Sequence, residues 1–495
     1  MRKGVCLILS CDADNYTKKR MTLWDSTVSL IADKMPVFYL FGDKMQHKQF
    51  IPRHTNVFKI CAYDCDDSYE NIPLKMYYGF RYISMVMRPD FILKIDENIS
   101  INNVPIFLEI ISKESEIYPY LAIKGISQHE TGINYNIVRY SYCHSNKVKD
   151  TRLDLMPNTM FKLCYAGGPA YVLAASAYSV LKREYFTSNL YEDYIVGINL
   201  IREGIAVHLS AATKLINDDE DPHNEKIKPN DFMIENRGVR QVYEYILEKN
   251  RFISKPFYMH IHGGLGNQLF QLAAGLAFSI KYDRHLCLIP VVTNIRKFYW
   301  DSLLNNFTSF ICSSVPTNTT KYIESAFSYK AIPENADEAW GYFQSEKYFS
   351  YFLTPDIIKK MLSVPVIKKT IPLNHILIHV RRGDYVEKAQ FHGLLNNEYY
   401  TNAIKITDTN KPKIILISDS LDDVNIGDNC ERILADDVET FAIMLLCSRF
   451  IIANSTYSWW GAYLAGKSVV APRNWFGPSG PKDTIDIYPT NWIIC

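Results

Sequence analysis

The chain has 495 residues, 47% of them hydrophobic and 22% charged, with a formal net charge of +1. That length holds two large domains or about three ordinary ones, and the composition is that of a soluble globular protein. The near-zero charge excludes binding to nucleic acid or a membrane surface by bulk electrostatics, and no run reaches the roughly 18 apolar residues of a membrane span.

The first residues, Met1 to Leu9, read as a buried strand and not as a signal peptide. The 11 cysteines are scattered with no Cys-x-x-Cys pair, Cys61 and Cys65 coming nearest to a metal pair. That usage points to a reducing, cytoplasmic setting. Residues 1–216 alternate short apolar runs (Val5–Leu9, Val37–Phe41, Phe91–Ile95, Tyr171–Leu173) with helical patterns, an α/β signature. Lys18-Lys19-Arg20 places positive charge after the first strand. The third run ends in Asp96-Glu97-Asn98, hard oxygen donors of the kind that suit Mn²⁺ or Mg²⁺; an ordinary acidic loop is the alternative. Gly167-Gly168-Pro169-Ala170-Tyr171-Val172-Leu173 and Glu192-Asp193-Tyr194-Ile195-Val196-Gly197 follow. The acidic pair is either a catalytic carboxylate with its neighbour or a helix cap.

Over residues 4–215 these motifs resemble the β-1,3-galactosyltransferase family. The resemblance implies a GT-A-like domain over 1–216 and a UDP-sugar donor, UDP-galactose first, contacted by Arg20, Asp96, Glu97, Asn98, Gly167, Gly168 and Glu192. It implies Mn²⁺ or Mg²⁺ held by Asp96 and Asn98, with His208 as a further ligand, and Asp193 as the general base of an in-line inversion. The family cluster is usually three aspartates, and its third position, the main metal ligand, is Asn98 here. A neutral amide weakens the hold on a divalent ion, so a shifted donor, weaker metal dependence and lost activity all stay open.

Residues 217–231 are polar, acidic and proline-broken, and they open a linker over 217–256 with a helix expected over Val239–Lys249. From 257 a second α/β pattern begins: strand Tyr258–Ile261, a glycine turn, helix Gln268–Lys281 and strand His285–Pro290. Strands Ile376–Val380, Lys413–Ile417 and Phe450–Ala453 follow. Gly263-Gly264-Leu265-Gly266-Asn267-Gln268 opens the helix, where glycines and free N–H groups admit a phosphate, though without the spacing of a dinucleotide fingerprint. His379-Val380-Arg381-Arg382-Gly383-Asp384-Tyr385 sets two arginines at a strand's carboxyl end, where open α/β sheets bind ligands. Forked, permanently charged donors suit a diphosphate; a solvated surface turn is the alternative.

Taken with Gly341–Phe349, Ser418-Asp419-Ser420 and Asn454–Tyr463, the order of motifs over 258–495 resembles the inverting α-1,2-fucosyltransferase family. This implies two Rossmann-like lobes in the GT-B manner over 257–495, GDP-fucose as donor and no metal. Fixed donors must then neutralise the leaving GDP. Arg381 is expected on the diphosphate, and Arg382 either bonds phosphate or braces the turn. Asp384 orients an arginine or meets the guanine or ribose. Asn267, with the backbone of Gly264 and Gly266, assists the reacting sugar, and His262, His379, Asp419, Ser455 and Thr456 line the donor site. Asp384 and His262 are the candidates for a base, and an oxocarbenium-like transition state lets a weak one suffice. Trp459 and Trp460 are expected in the core. The expected whole is a bifunctional inverting glycosyltransferase acting on a glycan or glycoprotein, adding a β-1,3-linked hexose and capping it with α-1,2-fucose. The alternative is a fucosyltransferase behind a degenerate carbohydrate-binding domain.

Overall fold

The computed structural model describes residues 3–10, 27–42, 54–63, 65, 71–97, 99–124, 126–131, 161–166, 170–186, 192–218, 255–292, 296–368, 371, 375–407, 413–420, 430–433 and 435–495. Arg20, Asn98, Gly167, Gly168 and the helix expected over 239–249 lie outside the described residues. The chain divides into two compact units, Met1–Ile253 and Ser254–Cys495.

In the first unit the strands are β1 Gly4–Leu9, β2 Val37–Gly42, β3 Val57–Ala62, β4 Phe91–Asp96, β5 Ile99–Ile101, β6 Tyr120–Ala122, β7 Ile126–Thr131, β8 Phe161–Ala166, β9 Ala170–Ala174, β10 Val207–Leu209 and β11 Ile216–Asp218. Seven of them form one sheet in the order β10-β6-β9-β4-β1-β2-β3. Strands β4, β1, β2 and β3 are parallel, whereas β9 runs antiparallel to both β4 and β6. The near-continuous apolar runs of β1, β2 and β4 suit a sheet covered on both faces, and Val5, Ile8, Val37, Phe41, Ile92 and Ile95 are fully buried. Helices α1 Ile72–Val86, α2 Val104–Ile117 and α3 Glu192–Arg202 accompany it. A parallel half continued through an antiparallel strand is a GT-A-like sheet. Its register sets Leu9 beside Asp96, so the carboxyl ends of β1 and β4 open together.

The second unit holds two parallel sheets. The amino-terminal lobe comprises β12 Pro256–Ile261, β13 His285–Pro290, β14 Lys321–Ile323 and β15 Glu338–Trp340, in the order β13-β12-β15-β14. The carboxyl-terminal lobe comprises β16 His375–Val380, β17 Lys413–Ser418, β18 Cys430–Arg432, β19 Arg449–Ile451, β20 Ser468–Ala471 and β21 Ile493–Ile494, in the order β18-β17-β16-β19-β20-β21. Counted from β16 this is 3-2-1-4-5-6, the doubly wound Rossmann order, whose ligand crevice lies where the order reverses, between β16 and β19. Helices α4 Leu265–Lys281, α5 Asp437–Met444 and α6 Thr456–Ala465 matter for the site. Helix α4 starts three residues earlier than its apolar periodicity suggests. Strand β19 ends at Ile451, two residues short of expectation, because the chain turns at Ala453, whose carbonyl accepts the Ser455 N–H at 2.8 Å. Trp459 and Trp460 are fully buried, and the Trp459 indole donates to the Ile487 carbonyl at 2.7 Å. Among the described residues no helix is long and apolar enough to cross a membrane.

Candidate active sites

In the first unit, residue types that are rarely buried without a partner gather at the carboxyl end of β4. Lys94 is 1% exposed, and its ammonium lies 2.8 Å from Asp96 Oδ1 and 3.1 Å from Glu192 Oε1. Tyr171 on β9 donates to Glu192 Oε1 at 2.8 Å and lies beneath the Lys94 ammonium, 5.3 Å from ring centroid to nitrogen. Burial pulls Lys94 down, but the two carboxylates outweigh it and hold it charged, above the usual lysine range. Burial pushes Asp96 up against the pull of Lys94. Burial, then Glu192, pushes Tyr171 well up, so it stays a donor. Glu97 accepts from the Ser10 hydroxyl at the end of β1, and buried Lys75 of α1 donates to the Ser10 carbonyl at 2.8 Å. Asp193, the next residue after Glu192 in the first turn of α3, is half-buried, and its charge reaches Tyr120 and Tyr171.

The fold thus brings Asp96, Glu97, Glu192 and Asp193 to one sheet edge. It does not bring His208 there. His208 on β10 is in register with Leu121, Val172 and Leu93 across the sheet. Three strand spacings at ~4.8 Å put β10 about 14 Å from β4, and the His208 ring stacks on Tyr118 at 3.7 Å. Ligands of one Mg²⁺ sit ~2.1 Å from the ion, so His208 and Asp96 cannot share one, and His208 is corrected to a stacking partner of Tyr118. Among the described residues no three histidine, cysteine, aspartate or glutamate groups stand together as a metal site, Cys61 and Cys65 included. The ammonium fixed on Asp96 competes with a divalent cation for that carboxylate, and Asn98, the expected main ligand, lies outside the described residues. Lys94 lies inside a run read only for its acids; a lysine in an otherwise apolar buried strand was the signal.

In the second unit, Arg381 and Asn454 leave the carboxyl ends of β16 and β19, on either side of the reversal point. The Arg381 guanidinium donates to Asp384 Oδ1 at 2.5 Å and lies 2.5 Å from Asp419 Oδ2. Arg296, from the other lobe, donates to Asp384 Oδ2 at 2.8 Å. Burial alone would raise Asp384, but Arg381 and then Arg296 hold it below the usual carboxylate range. Asp384 therefore orients arginines and makes a poor base. Asp419 also accepts the Arg382 backbone N–H at 2.7 Å. Arg382 is buried and donates to the Leu395 carbonyl at 2.8 Å, so of its two expected roles it fills the bracing one. His379 is 4% exposed, and burial with the Arg381 charge lowers it to about 3.

Ser455 is buried just before α6, and Thr456 begins that helix. An added Cβ at Gly266 would come within 2.3 Å of the Thr456 carbonyl carbon. Gly266 is thus needed for the approach of α4 to α6 and offers no open backbone to a ligand, a correction of its expected role. Gly264, by contrast, faces open space, and Gly263 turns with φ +81°. Asn267 folds toward Gly263 and accepts from the Gln344 amide at 3.1 Å. Further ties between the lobes went unread in the sequence: Lys297 lies 2.8 Å from Asp437 Oδ1, and Tyr299 donates to Asp437 Oδ2. Isolated charges separated by more than 100 residues carry no local pattern, so no sequence signal marks them.

Residues 236–495 match the model of glycosyl transferase family 11, and residues 22–210 match the galactosyltransferase model. The O-antigen biosynthesis glycosyltransferase WbnK of Escherichia coli is 26% identical over 309 residues, 48% of this chain and 99% of that protein. The alpha-1,2-colitosyltransferase of Escherichia coli is 29% identical over 282 residues, 47% of this chain and 96% of that protein. Among solved structures, the galactosyltransferase LgtC in complex with donor and acceptor sugar analogs superposes with a TM-score of 0.25 and 11% identity, over 41% of this chain and 72% of that one, too slight a likeness to argue from. The chain belongs to glycosyl transferase family 11, carries a galactosyltransferase-type domain ahead of that module, and is an enzyme that transfers sugars.

Proposed function

We propose that this is a cytoplasmic two-step enzyme: the first unit adds a β-1,3-linked hexose from a UDP-sugar, galactose first among the candidates, and the second caps it with α-1,2-fucose from GDP-fucose. The observation that carries the second step is Arg381 at the reversal point of a Rossmann-ordered sheet, a forked cation where a nucleotide diphosphate binds. The α-1,2 linkage in the name of the colitosyltransferase relative supports the same regiochemistry. For the first step, Asp193 is the base that takes the acceptor hydroxyl proton, next to Glu192, which Lys94 and Tyr171 hold in place. In the second, Arg381 bonds the leaving diphosphate while Asp384 and Asp419 aim its fork.

The Lys94–Asp96 pair favours weak dependence on Mn²⁺ or Mg²⁺ in the first unit, and it is also the observation that favours the second reading, a sugar-binding first unit without transfer. One experiment separates them. The purified chain is incubated with an aryl N-acetylglucosaminide and a panel of UDP-sugars, with Mn²⁺ or with a chelator, with and without GDP-fucose, and product masses are read. A hexose gain followed by a fucose gain supports two steps, and persistence under chelator supports the role of Lys94. Fucosylation of a supplied β-1,3-galactoside with no hexose gain from any donor supports the binding-domain reading.

A further inference from the structure

At the carboxyl edge of the amino-terminal lobe, Gln271 on α4 is fully buried and its carboxamide meets three groups. Its Oε1 accepts the His262 backbone N–H at 2.9 Å, its Nε2 donates to the Gly341 carbonyl at 2.9 Å, and the same Nε2 lies 3.3 Å from His262 Nδ1. A backbone N–H only donates and a carbonyl only accepts, so these partners settle which end of the amide is which. The remaining amide hydrogen then faces His262 Nδ1, which must offer a lone pair. A neutral imidazole bare at Nδ1 carries its proton on Nε2. Burial, with His260 adding to it, lowers His262 from its ordinary value, so the neutral form prevails near pH 7. The one lone pair of neutral His262, on Nδ1, is engaged by the Gln271 amide; what the ring has left to offer is the Nε2–H donor, and among the described residues nothing partners Nε2.

The surroundings of that donor are aromatic. The His262 ring lies 6.4 Å from Trp340 and stands edge-on to Tyr342 at 4.9 Å. Trp340 is backed by His260 at 3.7 Å, which pairs with buried Glu338 at 2.8 Å. Counted from β12 the sheet order is 2-1-4-3, so His262 and Trp340 end or follow the two neighbouring strands, β12 and β15, where that order reverses and an open parallel sheet has its crevice. Open space beside Gly264 adjoins them. A neutral donor among aromatic faces suits a sugar ring, whose C–H faces pack on π systems; a diphosphate calls for the arginines of the other lobe.

We propose that His262 is a specificity-determining donor that binds an oxygen of the acceptor sugar through Nε2–H, that Gln271 is the positioning residue that holds this tautomer, and that His262 is not the general base. This rests on the fucosyl-transfer reading and replaces the expected contact of His262 with GDP-fucose.

The test uses the full chain labelled with ¹⁵N-histidine, the His262 signals being assigned by their loss in His262→Gln. The expected spectrum shows His262 neutral and protonated at Nε2, and titration with a β-1,3-galactosyl N-acetylglucosaminide moves that Nε2–H resonance, whereas GDP does not. An Nδ1–H tautomer, or a resonance that follows GDP and ignores the acceptor, overturns the proposal. Gln271→Ala is expected to let the Nδ1–H form appear, and no change of tautomer there removes Gln271 from its role. In steady-state assays His262→Ala raises the acceptor KM about tenfold, the loss of one hydrogen bond, and leaves the GDP-fucose KM within about twofold. His262→Gln, which keeps an amide donor near the Nε2 position, recovers part of the loss. The spectra need no turnover, so a chain that transfers no fucose but shows both spectral results refutes the transfer reading and leaves the His262 assignment standing.

Discussion

Replacing Arg381 with alanine is the sharpest test of the donor site. Arg296 and Arg381 face Asp384 and Asp419, two cations against two carboxylates, so the constellation is near neutral before a nucleotide arrives. Arg381→Ala leaves a net negative charge where the diphosphate is proposed to bind. Unit charges ~6 Å apart at an effective dielectric of ~20 interact by about 3 kcal/mol, and a charge-assisted hydrogen bond contributes roughly 1.5–3 kcal/mol. Because Asp384 is about one-third exposed, screening trims the sum. The expected loss of GDP affinity is about 2–4 kcal/mol, roughly 30- to 1,000-fold in Kd. Arg381→Lys keeps the charge and loses the fork, so about tenfold is expected. Calorimetric titration of the full chain with GDP measures both, with circular dichroism confirming an intact fold. GDP affinity within twofold of the parent in Arg381→Ala would refute the placement of the diphosphate at the β16 edge and the reasoning behind it.

Asp193→Asn should abolish hexose transfer while GDP binding by the second unit stays unchanged, and a variant that still transfers hexose at the parent rate rules Asp193 out as base. Gly266→Ala drives a Cβ into the Thr456 backbone, with an expected cost of about 1–3 kcal/mol; thermal unfolding of the second unit reads it as a lower Tm, and an unchanged Tm contradicts the close helix contact. His379, lowered to about 3 in the fold from an ordinary 6.5, binds more protons unfolded than folded between those values. Stability should therefore be full above about pH 6.5 and fall by up to about 4 kcal/mol as pH drops toward 3. His379→Gln should flatten that acid limb in denaturant titrations, and an unaltered limb argues against a neutral buried His379.

The apolar runs of β1, β2, β4, β12, β13, β16 and β17 are legible in the sequence because a covered parallel strand needs every side chain apolar, which leaves a short, continuous signal. The motifs at their carboxyl ends are legible for a related reason: glycines, arginines and acids confined to a strand end have few structural explanations. From this the α/β class, the two-part organisation and the placement of Arg381, Asp96 and Asp193 at strand or helix ends could be read. The partners of those residues could not. Whether Asp384 serves as a base or orients arginines depends on Arg296, 88 residues away in sequence. Whether Asp96 is open to a cation depends on Lys94 and on Glu192, which arrives from a helix that follows β9. Gly266 looked like a phosphate turn until α6 was packed against it, and His208 looked like a ligand until sheet order set it three strands aside. Local sequence records the demands of burial and backbone geometry; which charges meet is decided by chain crossings between distant segments, and only the tertiary structure contains those.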